Sequence, residues 1–315
     1  MDTPLVSVII PTHNRAHLLP ASIATVLAQT ISDLEVIVVD DGSRDATPDV
    51  LAQIVAREPR VRVVRHEHAL GAAAARNRGI TEARGRFIAF NDDDCTWTEH
   101  KLEQQIAALE TVGADVAYCV TEIRAFGGHV HRVGLPMSAA DSFFGEVLRR
   151  NTIGTPMLVV RREALERSGL FDVTLPALED WELLLRLARS GAPFVFVPDV
   201  VVRTAMLEGG LSTRSGVIAT ACDRIERSLR QSFSLDAGQW VDFHTTVGHL
   251  LMLVGCTNRA RRHFARALRR SPLAFRPLLL GFASLLGGRM YRRLIAFRER
   301  HQGTVIDRIV DWFWS

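Results

Sequence analysis

Cysteine is scarce in this chain. The four present, Cys95, Cys119, Cys222 and Cys256, lie far apart with no CxxC pair. That spacing excludes a disulfide framework and a zinc ribbon as the organising device. Long hydrophobic runs are missing too: no uninterrupted apolar stretch approaches the ~20 residues that span a bilayer. The start has no basic segment followed by an apolar stretch of roughly 7–15 residues, so no signal peptide is expected and a reducing cytoplasm is the expected location. Glycine signatures for phosphate are absent as well. There is no GxGxxG after the first apolar run and no GxxxxGKS/T anywhere, so a nucleotide here is not held as NAD or ATP is held in those folds. Lysine is nearly absent, Lys101 standing alone among 38 basic residues; this bias carries no functional reading.

What is present describes a soluble globular chain. Its 315 residues are 47 % apolar and 23 % charged, enough for one large core and in the usual range for two domains. Short β-rich apolar runs recur at Leu5–Ile10, Leu34–Val39, Val61–Val64 and Phe87–Phe90. Between them lie stretches of helical spacing, Ala16–Gln29, Thr47–Arg57 and Ala72–Ala83, the second opened by an N-cap threonine and a first-turn proline. Strands alternating with helices imply a parallel sheet with helices on both faces. Polar residues gather after each strand, at the sheet end where open α/β folds bind ligands. Further on, Asp115–Ile123 reads as a strand and Gly127–Asp141 as a loop.

The fourth strand runs straight into Asp92, Asp93 and Asp94. Three successive carboxylates repel one another and cannot stay charged in a dry site without a counter-cation. At the carboxyl end of a parallel strand they suit a hard divalent ion, Mg²⁺ or Mn²⁺, that takes its other ligands from water and a diphosphate. A solvated acidic turn before a helix at Thr98–Thr111 is the plainer reading of the triplet alone. A second acidic pair, Glu179-Asp180, opens a helix whose apolar residues Leu183, Leu184, Leu187 and Ala188 face inward. A carboxylate there gains about 0.3–1 kcal/mol from the helix dipole, which by itself would also explain it.

Four segments, Val6–Arg15 (VSVIIPTHNR), Glu35–Ser43 (EVIVVDDGS), Gly71–Ile80 (GAAAARNRGI) and Phe87–Trp97, occur in an order that resembles the N-terminal half of inverting family 2 glycosyltransferases. Ser168–Gly191 is similar to the second half of the same family. The resemblance implies an α/β fold of GT-A type: a mostly parallel central sheet flanked by helices, then an α-helical C-terminal region. It implies a catalytic domain over 1–212 and a helical, arginine-rich region over 213–315. It also implies that Asp180 is the catalytic base, that Asp94 and Asp92 hold Mg²⁺ or Mn²⁺ as the ends of an Asp-x-Asp motif, and that Asp93 approaches the ribose or a metal-bound water. Pro11, Thr12, His13 and Arg15 would form the first loop of the nucleotide pocket, with His13 stacked on the base. Asp41 would accept from the base N3–H, a contact suited to uracil or thymine, although Asp-Gly-Ser is also ordinary turn chemistry. Arg76 would reach the phosphates, and Asn77 would brace a loop.

Three departures stand out. Asn91 and Cys95 occupy places where many relatives have an apolar residue and a fourth aspartate, and a thiol is a poor ligand for Mg²⁺. Within Val200–Ser212 the chain keeps Arg203 but has Thr204, Met206 and Leu207 where a tyrosine and a histidine are common.

After about Thr213 the pattern is helical throughout: 215–231, 237–254, 258–270, 272–286 and 289–300. Between Arg259 and Arg300 there are 12 arginines and one acid, Glu299, interleaved with apolar residues. Such a stretch is what lies on an anionic membrane surface, here the inner face of the plasma membrane; a helical appendage with solvated arginines is the alternative. No nucleic-acid motif accompanies it, and no nucleic-acid partner is expected.

The expected activity is metal-dependent inverting transfer of a sugar from a nucleoside-diphosphate donor, UDP-linked by preference. The acceptor would be a hydroxyl of a glycan or lipid-linked molecule in cell-surface polysaccharide synthesis. The rival outside enzymes is a non-catalytic nucleotide-sugar sensor or scaffold.

Overall fold

The structure is a computed structural model that describes residues 3–124, 130–134, 143–205 and 215–300. The apolar runs form the strands that their β-branched composition favours. β1 (Val6–Thr12), β2 (Leu34–Asp40), β3 (Val61–Arg65) and β4 (Phe87–Phe90) pair in parallel, with α1 (Leu19–Leu27), α2 (Thr47–Val55) and α3 (Ala72–Glu82) as crossovers. Every residue of β2 and β4 is buried. β1 continues past Pro11 to Thr12, because its pairing with β4 ends at Ile9↔Phe90 and the missing amide leaves no gap there.

The chain then runs through β5 (Thr96–Trp97), α4 (Lys101–Val112), β6 (Val116–Arg124), β7 (Val130–Val133), α5 (Phe143–Arg149), β8 (Val159–Arg161), α6 (Arg162–Ser168), α7 (Glu179–Arg189) and β9 (Phe194–Ala205). The sheet order is β3-β2-β1-β4-β8-β6-β9-β5, with β7 on β6. The longer ladders are parallel, including β6 with β9, while β8 is antiparallel to both β4 and β6. α3 lies against β1 and β2, and α4 against β6 and β9. This is the mostly parallel, helix-flanked GT-A architecture that the resemblance implied. One local reading is corrected: the expected loop over 127–141 contains β7, because Thr121–Arg124 offers it a free ladder edge.

Two compact units emerge. One comprises Met1–Ser138, Thr152–Thr174 and Glu179–Met206; the other comprises Ala139–Asn151, Leu175–Leu178 and Leu207–Ser315. The second is helical, with α8 (Ser215–Ser232), α9 (Ala237–Leu253), α10 (Thr257–Arg270), α11 (Phe275–Leu285) and α12 (Gly288–Arg300). An Asp236–Gln239 capping box starts α9. α9 and α10 meet closely at Gly248, where a Cβ would sit 2.5 Å from the Phe264 ring.

Candidate active site

β4 delivers the acidic triplet to the carboxyl end of the sheet, and a buried polar brace fixes the turn. The Asn91 amide donates to Ser22 Oγ at 2.9 Å and to the Cys95 carbonyl at 3.3 Å. Ser22 Oγ in turn donates to the Asp92 carbonyl at 2.9 Å. Asn91 therefore replaces an apolar residue with a side chain that ties the turn to α1. Ser22, 70 positions away, carried no signal in the sequence.

The three carboxylates do not share one environment. Asp93 accepts from Thr12 Oγ1 at 2.7 Å, yet desolvation, with repulsion from Asp94 and Asp92, pushes its pKa up to about 6. Asp94 is raised by desolvation and by the charge of Asp92, with Arg15 pulling the other way. Asp92 is the most tightly held, because Arg76 Nη2 donates to its Oδ1 at 2.8 Å.

Arg76 joins this cluster to the second one. Its Nη1 donates to Glu179 Oε1 at 2.6 Å, so a single guanidinium spans Asp92 and Glu179. The side chain is 6 % exposed. Burial alone would lower its pKa, but the charges of Asp92 and Glu179 more than offset this and keep it protonated, above the usual arginine range. Both terminal nitrogens expected to reach phosphates are thus engaged by carboxylates, and its Nε is buried without a hydrogen-bond partner among the described residues. Asn77, one residue on, exchanges two hydrogen bonds with the Phe171 backbone, tying α3 to the approach to α7.

Asp180 sits in the first turn of α7 beside Glu179. The preceding residue, Leu178, has φ 61°, a strained conformation for a branched side chain. Asp180 Oδ1 accepts from the Trp181 amide at 2.7 Å. Its Oδ2 faces Gly154, where a Cβ would stand 3.9 Å away. Desolvation, then the neighbouring Glu179 charge, pushes the Asp180 pKa up to about 7. A carboxylate so tuned is suited to general-base work near neutral pH.

The first loop is drawn to the same end of the sheet. His13 donates from Nδ1 to the Asp41 carbonyl at 2.7 Å and accepts at Nε2 from Asn14 Nδ2 at 2.9 Å, which fixes its neutral tautomer. Asn14 has φ 55° and locks the loop through Oδ1, which accepts from the Arg44 amide at 2.8 Å. Pro11 is the next-to-last residue of β1, just before this loop, and Arg15 lies close enough to Asp93 and Asp94 to stabilise their charges. Asp41 is buried, its Oδ1 accepting from His66 Nδ1 at 2.7 Å and the Leu70 amide at 2.9 Å. Its Oδ2 accepts from the Gly71 amide at 2.8 Å and, more weakly, from Leu70. Asp41 therefore anchors the loop before α3, and Gly42 at φ +70° allows the turn to press against the His68 backbone. His66 went unnoticed in the sequence. Arg203, on β9, donates to Glu122 at 3.2 Å, while Met206 and Leu207 lie outside the described residues.

Asp92, Asp94 and Cys95 place one potential ligand atom each within 4.8 Å of one another. Burial raises the Cys95 pKa well above the usual thiol value, and its Sγ donates weakly to Asp94 at 3.6 Å. The oxygen donors that remain, Asp92 with one oxygen on Arg76 and Asp94 crowded against its charge, are of the kind a hard divalent cation takes. A second set, Glu226, His244 and His263, lies in the helical unit. There Arg230 and Arg266 hold the two Glu226 oxygens, and the histidines pair through Nδ1 at 3.2 Å, so the carboxylate is already neutralised.

This combination of sheet, acidic strand end and carboxylate-capped helix defines a glycosyltransferase class of site. The profile of Glycosyl transferase family 2 matches residues 7–165, and the chain belongs to that family. It is 33 % identical over 190 residues, 60 % of this chain and 72 % of the relative, to the Escherichia coli UDP-Glc:alpha-D-GlcNAc-diphosphoundecaprenol beta-1,3-glucosyltransferase WfgD. Among solved structures, Staphylococcus aureus TarS 1-349 in complex with UDP-GlcNAc superposes with TM-score 0.60 at 18 % identity, covering 91 % of this chain and 89 % of that one. The mannosyltransferase PcManGT from Pyrobaculum calidifontis, in complex with GDP-Man and Mn²⁺, superposes with TM-score 0.61 at 22 % identity, covering 93 % and 85 %. At those identities the two structures speak for the fold.

Proposed function

We propose that the protein is a metal-dependent inverting glycosyltransferase that uses a UDP-sugar and glycosylates a hydroxyl of a glycan or lipid-linked acceptor in cell-surface polysaccharide synthesis. The observation that carries this reading is the Arg76 bridge, which holds Asp92 and Glu179-Asp180 at one place. An acceptor hydroxyl over Gly154 would donate to Asp180 Oδ2. As its oxygen attacks the anomeric carbon, Asp180 takes the proton and the bond from that carbon to the diphosphate breaks, inverting the configuration. Asp92 and Asp94 would hold Mg²⁺ or Mn²⁺, which when bound acts as Lewis acid for the departing diphosphate. Arg15 adds positive charge beside Asp94 and Asp93.

Thr12 and His13 shape the nucleotide loop, and Asp41, whose two oxygens already accept from His66, Leu70 and Gly71, would accept a uracil N3–H through a remaining lone pair. The UDP preference and the lipid-linked acceptor draw support from the WfgD name, which specifies UDP-Glc and a diphosphoundecaprenol acceptor. Mn²⁺ in the PcManGT complex supports a divalent ion.

Thermal-shift titration with UDP-, dTDP- and GDP-sugars, with and without Mn²⁺, tests the reading alongside nucleotide release. We expect a Mn²⁺-dependent shift largest for a UDP-sugar, with slow release of UDP. Tight donor binding with no release of nucleotide would assign the sensor role instead.

A further inference from the structure

The helical unit exposes apolar side chains that its own packing does not use. α11 is apolar on two opposite faces. Pro277, Leu280 and Ser284 are buried on one of them, where α11 packs with α9 and α10. On the other, Phe282, Leu285 and Leu286 are 63 %, 64 % and 62 % exposed, and Leu273 ahead of the helix is 92 % exposed. α12 repeats the pattern at i, i+4. Met290 and Leu294 are 46 % and 44 % exposed, while Tyr291 is buried and donates to or accepts from His249 at 2.8 Å.

Charge accompanies this apolar surface. Arg259 and Arg266 are paired with Asp223 and Glu226. Arg262, Arg269, Arg289, Arg292 and Arg293 are exposed and make no ion pair among the described residues. On α12, Arg289 and Arg293 form a stripe one residue before Met290 and Leu294, so cation and apolar side chains run side by side along one helix. No helix of the described chain is long and apolar enough to cross a membrane.

We propose that α11 and α12 form a docking surface for an anionic lipid bilayer, with Phe282, Leu285, Leu286, Met290 and Leu294 entering the boundary of headgroups and acyl chains and Arg289, Arg292 and Arg293 on lipid phosphates. Interfacial helices combine an apolar face with a basic one in this way. A second copy of the chain fits less well, because it would set unpaired arginines against arginines. Nucleic acid would leave the apolar side chains in water. This surface is independent of the transferase reading, since it is read by binding alone.

The test is co-sedimentation of the full chain with phosphatidylcholine vesicles, with and without phosphatidylglycerol, at low and high salt. Binding is expected only to the anionic vesicles and should weaken with salt. Each arginine near such a surface is worth about fivefold in partition, so Arg289→Gln, Arg292→Gln and Arg293→Gln together should lose roughly 100-fold. Phe282→Glu with Leu286→Glu should abolish binding while leaving thermal unfolding and donor binding unchanged, because both side chains already face outward. Equal binding by that double variant, equal binding to neutral vesicles, or a vesicle-independent dimer dissociated by the same substitutions would each overturn the proposal.

Discussion

Replacing Asp180 by Asn separates what this residue does for rate from what it does to stability. The amide keeps an oxygen for the Trp181 amide, which donates to Oδ1 at 2.7 Å, so the start of α7 is preserved. A general base, the role proposed for Asp180, is worth about 10²–10⁴-fold, and turnover should fall by at least that with donor binding nearly intact. Stability should move the other way. A carboxyl raised from 3.8 to about 7 is protonated in the folded protein at a pH where the unfolded chain has already lost its proton. Wild-type stability is thus fully present below pH ~4 and is lost as pH rises towards ~7. The full displacement corresponds to at most about 4 kcal/mol; partial exposure and solvent screening reduce it to roughly 1–2 kcal/mol. Asp180→Asn should therefore unfold at higher denaturant concentration than wild type at pH 8, with the gain gone by pH 4. Denaturant melts at the two pH values, beside single-turnover rates, are the assay. A variant that keeps most of its rate, or that gains nothing at pH 8, would refute the reasoning.

Further outcomes follow from the same geometry. The wild-type pH–rate profile should show an acid limb with an apparent pKa near 7, where Asp180 loses its proton and the proposed general base becomes competent; steady-state kinetics between pH 5 and 9 check this. Arg76→Met leaves Asp92 and Glu179 facing each other uncompensated, and urea unfolding should show a loss of about 3–5 kcal/mol. Cys95→Ser should leave the dependence of activity on Mn²⁺ concentration unchanged, because the buried thiol stays protonated. Lys101 is fully buried with Nζ 4.0 Å from the Trp97 ring centre and no hydrogen-bond partner among the described residues, and desolvation lowers its pKa to about 8. Lys101→Met should raise the melting temperature at pH 7, by about 1–2 kcal/mol of stability. That gain should shrink as pH rises from 8 towards 10, where the folded lysine is neutral.

Most of the strand and helix order was legible, because the buried runs of β1, β2 and β4 and the arginine-rich amphipathic helices carry strong periodicities. β9 was not. Pro198 and Asp199 interrupt its apolar pattern, and the structure absorbs them in a register shift, with Cys119 opposite Val197 and Val120 opposite Val201. β5 is two residues long and exists only through β9. The acidic triplet and the Glu179-Asp180 pair could be read as chemistry, since carboxylate clusters are conspicuous locally. Their connection could not. Arg76 is 16 positions from Asp92 and 103 from Glu179, and nothing in an alanine-rich helix announces that its arginine turns inward to bridge the turn after β4 and the start of α7. The partners of Asp41 were hidden for a related reason: its acceptor capacity is taken up largely by backbone amides, which any residue type supplies.

The anomeric configuration of the first-formed product tests the account most directly. With an α-linked UDP-sugar and Mn²⁺, time-resolved NMR should show a β-linked product, formed by wild type and not by Asp180→Asn. An α-linked product would contradict a single displacement assisted by Asp180.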